Sequence, residues 1–312
     1  MQNPEVFCRY APSLGALEDS PEKAWGTTPY VWWKHRDKQC VFTGLYDLRD
    51  YIALWWHRGE SWVFWCGSDI LNLKNGFVAN DGKLMWLSVL FKDRFTTLIK
   101  KILSKNSHWV ENTWEKEQLE SMGIKVDGVR QSFMGDPTLF HISYKWKERP
   151  QVYLSASEGR QEEYGWGKIE SIAGYLPWMD FHLYGAKWNT NHNNVVVHGR
   201  VPKIVMNNEI AQFQIGLRLN ETDGFSEVLA KAVLMGQYAV GKIEHPCIPS
   251  FDNDISLVTL LHSLGKKKEP NVYTRNYYLK NLNDFPWVNQ NYGENTYNRK
   301  RGSRNSITRS IE

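Results

Sequence analysis

The sequence predicts an α/β protein in which helices cover both faces of parallel sheets, and two patterns support this prediction. Residues 151–264 alternate short apolar strands with amphipathic helices across short connections, which is typical of a doubly wound parallel sheet. Residues 39–133 show a similar but less regular alternation. With 312 residues and 42% hydrophobic content, the chain can bury two medium cores, so we predict two domains that meet near Pro150.

The elements of the second half follow in order along the chain. Each predicted strand is short and apolar and ends at glycine or a polar turn: 152–155, 181–185, 194–199, 215–219 and 238–241. The predicted helices are 167–176, 206–212, 226–235 and 255–264. The carboxyl ends of these strands should line a crevice, which is where such sheets bind ligands.

The elements of the first half are harder to assign. Buried strands are predicted at 39–44 and 62–67, with an amphipathic helix at 47–57 between them. Further helices are predicted at 91–103 and 113–122, and further strands at 108–111 and 124–133. Residues 1–36 show no period, so we predict an irregular arm or cap there. Trp62 and Trp65, which belong to a predicted strand, should fill the core.

Composition and charge argue against several classes of protein. The four cysteines, Cys8, Cys40, Cys66 and Cys247, have no paired metal-type spacing, so we expect reduced thiols. No window approaches a membrane-spanning helix, and residues 1–5 lack an export signal, so we expect a cytoplasmic protein. The net charge of +4 is concentrated from Lys266 onward, where a basic tail is either a solvated terminus or a contact for nucleic acid or an anionic membrane.

One segment carries the strongest functional signal. An apolar strand at 215–219 runs into a polar loop that contains Gly224 and then into a helix at 226–235. This order is how α/β proteins bind phosphates, because the amides at the start of the helix can donate to an anion. Arg218 lies near the end of the strand and could clamp a diphosphate; the alternative is a structural salt bridge to Asp223 or Glu221.

A longer series of motifs resembles a known family. The segments are Val152-Tyr153-Leu154-Ser155, Tyr164-Gly165-Trp166-Gly167, Phe181-His182-Leu183-Tyr184-Gly185, Val197-His198-Gly199-Arg200-Val201-Pro202, and the stretch from Asp223-Gly224-Phe225 to Gly236. In order and spacing they resemble the nucleotide-binding half of GT-B glycosyltransferases. The resemblance is strongest to the retaining family with two glutamates separated by seven residues, the group 1 glycosyl transferases, and it covers the first half only loosely.

The resemblance implies a fold, a domain layout and an activity. The fold is two Rossmann-like domains that face a cleft, with an acceptor-side domain at 1–148 and a nucleotide-sugar-binding domain at 149–268. A segment at 269–312 would cross back to the first domain before the basic tail. The activity is transfer of a hexosyl or pentosyl group from a nucleotide sugar to an unidentified acceptor. No cofactor and no metal ion are expected, since no Asp-x-Asp motif lies among the apolar strands.

The resemblance also implies which residues bind the donor. Alignment on Gly236 puts Asp223 beside the donor sugar and Lys231 where the family has the glutamate that binds ribose. A lysine cannot accept hydrogen bonds from ribose hydroxyls, so Glu227 or Glu221 is a candidate substitute, and Lys231 could instead pair with Glu227. Further candidates are Gly224, Phe225, Ser226, Gly199, Arg200 and Val201, with Arg160 and Lys168 as cations for the phosphates.

Two loops of the first half would form the acceptor side of the cleft. Each follows a predicted strand, and their candidate residues are Gly44, Tyr46, Asp47, Gly67, Ser68 and Asp69. Asp47 or Asp69 would act as a general base if the enzyme inverts configuration, whereas a retaining enzyme would need none. Both acids also fit an ordinary helix cap.

Three other functions stay open from the sequence. A nucleotide-sugar epimerase would share the architecture, but the first half shows no clear pair of acid and base. A sugar- or nucleotide-binding module without turnover fits the charge reversal at Lys231. A glycosyltransferase that acts on hydroxymethylated bases in DNA fits the basic tail, in which Arg299, Lys300 and Arg301 would contact phosphates.

Overall fold

The computed structural model describes residues 5–11, 14, 19–75 and 92–288. Within them, the first sheet has six strands: β1 (Phe7–Tyr10), β2 (Thr28–Pro29), β3 (Cys40–Thr43), β4 (Ser61–Phe64), β5 (Ser107–Val110) and β6 (Gly128–Val129). They pair in the order β2-β1-β3-β4-β5-β6, and each pair is parallel. The helices of this half are α1 (Pro21–Trp25), α2 (Leu48–Trp56), α3 (Ser68–Lys74), α4 (Lys92–Leu103) and α5 (Thr113–Ser121).

The second sheet, in the same described ranges, has five strands: β7 (Gln151–Ser155), β8 (Asp180–Tyr184), β9 (Val195–Gly199), β10 (Ile215–Arg218) and β11 (Tyr238–Gly241). They pair in parallel in the order β11-β10-β7-β8-β9. The chain runs outward from β7 to β9 and resumes on the other side at β10, so the strand order reverses between β7 and β10. The helices are α6 (Trp166–Ala173), α7 (Lys203–Ile210), α8 (Glu227–Leu234), α9 (Asp254–Gly265) and α10 (Val272–Asn281).

Short polar residues determine where several helices begin. Asp47 precedes α2, and its Oδ1 accepts a hydrogen bond from the Asp50 amide at 3.1 Å in a capping box. Ser226 precedes α8, and its Oγ accepts from the Leu229 amide at 3.3 Å. Each cap binds an amide that no carbonyl group of its own helix can reach. The helix starts are therefore encoded locally.

The predicted α/β class is confirmed, and the five predicted strands of the second half are correct to within one residue at each end. Two expectations for the first half are wrong. The described part of residues 1–36 is not an irregular arm, because β1 lies inside the first sheet between β2 and β3. The predicted strand at 124–133 is reduced to the two residues of β6. A four-residue strand such as β1 is too short to show a period, and its partners are distant in sequence.

The segment after α10 packs against the first sheet. Phe285 and Trp287 are buried with Phe64, and the ring centroids of Phe64 and Phe285 lie 5.0 Å apart. Asn283 hydrogen-bonds to both the amide and the carbonyl oxygen of Phe133, at 2.9 and 2.8 Å. The chain thus returns from the second sheet to the first before residue 288. The basic residues Arg299, Lys300 and Arg301 lie outside the described residues.

Aromatic side chains lie both in the core and on the surface. Trp62 and Trp65 are buried, which confirms the prediction for them, whereas Trp33 is 72% exposed and Trp55 is 61% exposed. The cysteines are free thiols, with Cys8 buried and Cys66 partly buried. In the part of the chain that the structure describes, every helix is too short or too polar to cross a bilayer.

Candidate functional site

A cavity of about 840 Å³ lies between the carboxyl ends of the two sheets. The first sheet contributes residues that follow its strands, among them Leu14, Tyr46, Cys66, Ser68 and Glu111. The second contributes residues that follow β7 and β10, among them Ser157, Arg160, Tyr164, Asp223 and Ser226. Because β7 and β10 flank the reversal of strand order, the cavity lies where open α/β sheets bind their ligands.

Arg218 places a positive charge on the wall of this cavity. It is the last residue of β10, and its side chain is 13% exposed. Its Nε donates to Asp223 Oδ2 at 2.6 Å, and its guanidinium carbon lies 4.2 Å from the centroid of the Tyr164 ring. The salt bridge that the sequence left as an alternative is therefore present. Arg218 also lines the cavity, so a ligand and Asp223 would contact the same guanidinium.

The start of α8 opens onto the same cavity, which is lined there by Ser226, Glu227 and Val228. The side chain of Ser226 caps the helix through the Leu229 amide. Amides in the first turn carry the positive end of the helix dipole. A guanidinium group and a helix start therefore border one cavity, and both favour an anion.

The loop from β10 to α8, residues 219–226, is held by residues of the first half of the chain. Asn112 Nδ2 donates to the carbonyl oxygen of Asp223 at 2.8 Å. Glu111 Oε2 accepts from the amide of Phe225 at 2.7 Å. A Cβ on Gly224 would lie 2.0 Å from Glu111 Oε2, so a side chain at this position would displace the Glu111 carboxyl group. We call residues 219–226 the bridging loop.

Glu111 and Glu115 are candidates that the sequence analysis missed. Both are buried, and Glu115 Oε2 accepts from the Glu111 amide at 2.6 Å. Burial raises the pKa of Glu111 to about 8, and burial together with the charge of Glu111 raises the pKa of Glu115 well above its usual value. The available signal was the position of Glu111 as the last residue of a predicted strand, the position that Gly44 and Gly67 also hold.

Several predicted donor-binding residues form ion pairs with other side chains, and some of the predicted residues lie outside the cavity wall. Lys231 is buried, and its Nζ lies 3.4 Å from Glu227 Oε2. Glu227 lines the cavity, whereas Lys231 does not. Arg160 lines the cavity while its Nε donates to Glu163 at 2.7 Å. Within the described ranges, the predicted donor residues outside the lining are Lys168, which pairs with Asp254, and Lys231, Gly199, Arg200 and Val201.

The two predicted acids of the acceptor side make structural contacts. Asp47 caps α2 and pairs with Arg49 at 3.0 Å. Asp69 is fully buried, and burial raises its pKa to about 6. Its carboxylate accepts hydrogen bonds, at 2.9 to 3.1 Å, from the amides of Leu45, Cys66 and Ile70. A catalytic role for Asp47 or Asp69 stays a prediction.

The other acceptor-side candidates shape the cavity wall. Tyr46 and Ser68 line it, and Ser68 Oγ lies 3.4 Å from the hydroxyl of Tyr46. Gly44 and Gly67 have φ angles of +72° and +82°, which strain a side chain. A Cβ on Gly67 would also lie 3.0 Å from the backbone nitrogen of Gly224, so Gly67 is packed against the bridging loop.

Comparisons with known proteins inform the fold. Neither the family models nor the curated proteins include a match to the chain. Among solved structures, a sucrose-phosphate synthase from Thermosynechococcus elongatus has a TM-score of 0.52 at 10% identity, and the alignment covers 86% of this chain and 74% of that one. An α,α-trehalose-phosphate synthase (UDP-forming) from Burkholderia vietnamiensis has a TM-score of 0.53 at 11% identity, with coverage of 86% and 75%.

A pneumococcal O-GlcNAc transferase, GtfA, solved in complex with UDP and GlcNAc, has a TM-score of 0.48 at 10% identity. The alignment covers 89% of this chain, and the chain spans 59% of the length of that protein. The likeness to the two synthases shows the fold. The two parallel sheets correspond to the two Rossmann-like domains of GT-B glycosyltransferases, which confirms the predicted fold class.

Proposed function

We propose that the protein is a glycosyltransferase that moves a hexosyl or pentosyl group from a nucleotide-sugar donor to an acceptor. One observation carries the proposal: Arg218 and the start of α8 line a single cavity where the strand order of the second sheet reverses. The fold supports it, since the two synthases described above, with TM-scores of 0.52 and 0.53, are named as a sucrose-phosphate and a trehalose-phosphate synthase. One of them is named as UDP-forming, which fits a nucleoside diphosphate as the leaving group.

The chemistry of transfer requires stabilisation of negative charge on that leaving group. Arg218 provides a planar cation that stays charged at any physiological pH. It has five N–H donors, so its contact with Asp223 leaves others for a diphosphate. The first-turn amides of α8 add donors at the positive end of the helix. Both groups are fixed before the donor arrives, which is what makes such stabilisation effective. We assign no step to a metal ion or an organic cofactor.

Asp223 is the residue we place beside the donor sugar. Its Oδ2 accepts from Arg218, and its Oδ1 accepts from the Gly224 amide at 3.0 Å. These contacts fix the orientation of the carboxylate. An ionised carboxylate at this point can accept a hydrogen bond from a sugar hydroxyl or offset positive charge at the sugar ring in the transition state.

Glu227 is the residue we assign to the ribose in place of Lys231. Glu227 lines the cavity in the first turn of α8, and its side chain is 22% exposed. Lys231 lies one helical turn later, is 5% exposed and pairs with Glu227. The pair orients Glu227, and a carboxylate accepts hydrogen bonds from ribose hydroxyls where a lysine cannot. Glu221, the other candidate from the sequence, is exposed and outside the described cavity lining.

A second candidate function is binding of a nucleotide or sugar without turnover. Two donors that could bind an anion already donate to carboxylates of the protein, which favours this function. Arg218 donates to Asp223, and the amide of Phe225 donates to Glu111. A donor has to share or displace these contacts. The acceptor is left unassigned, because the basic residues that would contact DNA lie outside the described residues.

Binding and turnover measured together distinguish the two candidates. Titration calorimetry with UDP, GDP and ADP identifies the preferred base, and nucleotide release is then followed with the matching nucleotide sugars. Slow release of the nucleoside diphosphate, as its sugar is transferred to water or to an added sugar acceptor, supports the transferase. Binding without release under any of these conditions supports the binding module. Failure of all three diphosphates to bind contradicts the transferase and a nucleotide-binding module.

A further inference from the structure

Glu111 makes a contact that the proposed chemistry leaves unexplained. It follows β5 of the first sheet, yet its Oε2 accepts from the amide of Phe225, in the bridging loop of the second sheet, at 2.7 Å. Its Oε1 accepts from the Ser132 amide at 3.0 Å and lies 2.5 Å from Ser132 Oγ. The side chain lines the cavity, although the residue is only 5% exposed. A carboxyl group of one sheet therefore binds the backbone between Asp223 and the start of α8.

The neighbouring glycine accommodates this contact. A Cβ on Gly224 would lie 2.0 Å from Glu111 Oε2, and the next atom from another side chain, Glu115 Oε1, would be 3.5 Å away. Gly224 is not among the glycines with positive φ in the described chain, so its backbone conformation is open to alanine. The obstacle to a side chain at position 224 is the carboxyl group of Glu111.

We propose that Glu111 positions the bridging loop for donor binding by accepting the hydrogen bond of the Phe225 amide, and that it is an uncharged acid when a nucleoside diphosphate is bound. This inference rests on the proposed function. Ser132 Oγ donates to Oε1 of the ionised carboxylate. In the uncharged form, Oε2 still accepts from Phe225, and the Ser132 hydroxyl turns to accept the proton on Oε1. An ionised Glu111 would instead place a negative charge beside the diphosphate. At a pH where Glu111 is ionised in the free protein, donor binding is therefore coupled to uptake of one proton.

The surroundings of Glu111 favour the uncharged form. Burial raises its pKa to about 8 and outweighs the hydrogen bonds from Ser132 and Phe225, which lower it. The titratable and charged groups that face Glu111 and its partner Glu115 are mostly acids: Glu115 on α5, Asp69 on α3, Cys66 after β4, and Asp223 with its partner Arg218. A bound diphosphate adds more negative charge and raises this pKa further.

The first test is the pH dependence of UDP binding, with GDP or ADP in its place if the wild type prefers one of them. Wild-type affinity should be steady up to about pH 8 and then fall by up to about tenfold per pH unit. Calorimetry in buffers of different ionisation enthalpy should detect uptake of about one proton per nucleotide in that range. Glu111→Gln stays uncharged, so it should lose both effects and bind within about tenfold of the wild type near pH 7.

The matched control is Glu117→Gln. Glu117 is exposed on α5, the helix that carries Glu115, and should keep the wild-type pH profile and proton uptake. A merely structural role for Glu111 would lower the thermal stability of Glu111→Gln but would leave the coupling between proton and nucleotide in place.

The second test is a double-mutant cycle with Gly224. Gly224→Ala alone should weaken nucleotide binding by about tenfold or more, because its methyl group displaces Glu111 from the Phe225 amide. In the Glu111→Ala background, the same change should alter affinity by less than about twofold, since the obstacle has been removed. Thermal unfolding of the four proteins shows that each is folded.

The outcomes separate this inference from the proposed function. If the wild type binds no nucleoside diphosphate, the proposed function fails. If the wild type binds one, but Glu111→Gln keeps the wild-type pH profile or Gly224→Ala is equally harmful with and without Glu111, the inference is overturned and the function stands. Loss of the pH profile in Glu111→Gln together with rescue of Gly224→Ala supports the inference.

Discussion

The two walls of the cavity differ in chemistry. The wall from the second sheet carries Arg218 and the start of α8, which both attract an anion. The wall from the first sheet offers uncharged polar groups such as Tyr46 and Ser68, and its carboxyl group, Glu111, is directed at the bridging loop. Under the proposed function, phosphate recognition would belong to the wall from the second sheet, and the wall from the first sheet would orient the bridging loop and face the acceptor.

The two walls also differ in the surroundings of their carboxyl groups. Asp223 is paired with the guanidinium group of Arg218. Asp69, Glu111 and Glu115 are buried beside amides, hydroxyl groups and each other, and burial raises the pKa of all three. A buried carboxyl group without a cation favours the neutral form, because its charge would lose hydration. At neutral pH the first wall therefore carries less negative charge than its number of acids implies.

The largest expected effect comes from Arg218→Ala. This change removes the charge that faces the diphosphate and leaves the Asp223 carboxylate without its partner, so affinity for UDP should fall by at least about 100-fold, or ~3 kcal/mol. Titration calorimetry measures it. Lys168→Ala removes a cation of the same half that pairs with Asp254 outside the cavity lining, and affinity should stay within about twofold. Equal losses in the two variants would mean that Arg218 acts through net charge alone.

An intermediate effect is expected for Glu227→Gln. The amide accepts ribose hydrogen bonds less strongly than the carboxylate, so affinity for UDP should fall by about tenfold. Affinity for 2′-deoxy-UDP should fall less, which reduces the discrimination between the two nucleotides. Glu221→Gln, a change of the same kind at an exposed position, should leave both affinities unchanged. The assignment of ribose binding is wrong if discrimination changes in Glu221→Gln and persists in Glu227→Gln.

The smallest effect on the cavity is expected for Asp47→Ala. Loss of the cap on α2 should lower the free energy of unfolding by about 1 kcal/mol, measured with urea, and leave turnover unchanged. Asp37→Ala changes an exposed acid of the same half and should alter neither quantity. Turnover that disappears in Asp47→Ala while the protein stays folded would show that the first wall supplies a catalytic acid or base.

Local signals in the sequence were enough for the second sheet and for part of the site. Each strand of that sheet is a short apolar run that ends at a glycine or polar turn, and α6 has an apolar face that includes Ile169, Ile172 and Ala173. Arg218, Gly224 and Ser226, which line the cavity, stand out in the sequence because the bridging loop is continuous with the strand before it and the helix after it. Caps such as Asp47 are also local, since the acceptor and the amide are three residues apart.

The rest of the fold and of the site depends on packing between segments that are distant in sequence. The place of β1 depends on pairing with β3, whose residues lie more than thirty positions later, and four residues show no period. The contact between Glu111 and Phe225 joins residues 114 positions apart, so no local pattern contains it. Burial of Lys231 and the raised pKa of Glu111 likewise depend on neighbours from other elements. Local propensity specifies helices, strands and caps, whereas burial and charge environment exist only once distant segments have met.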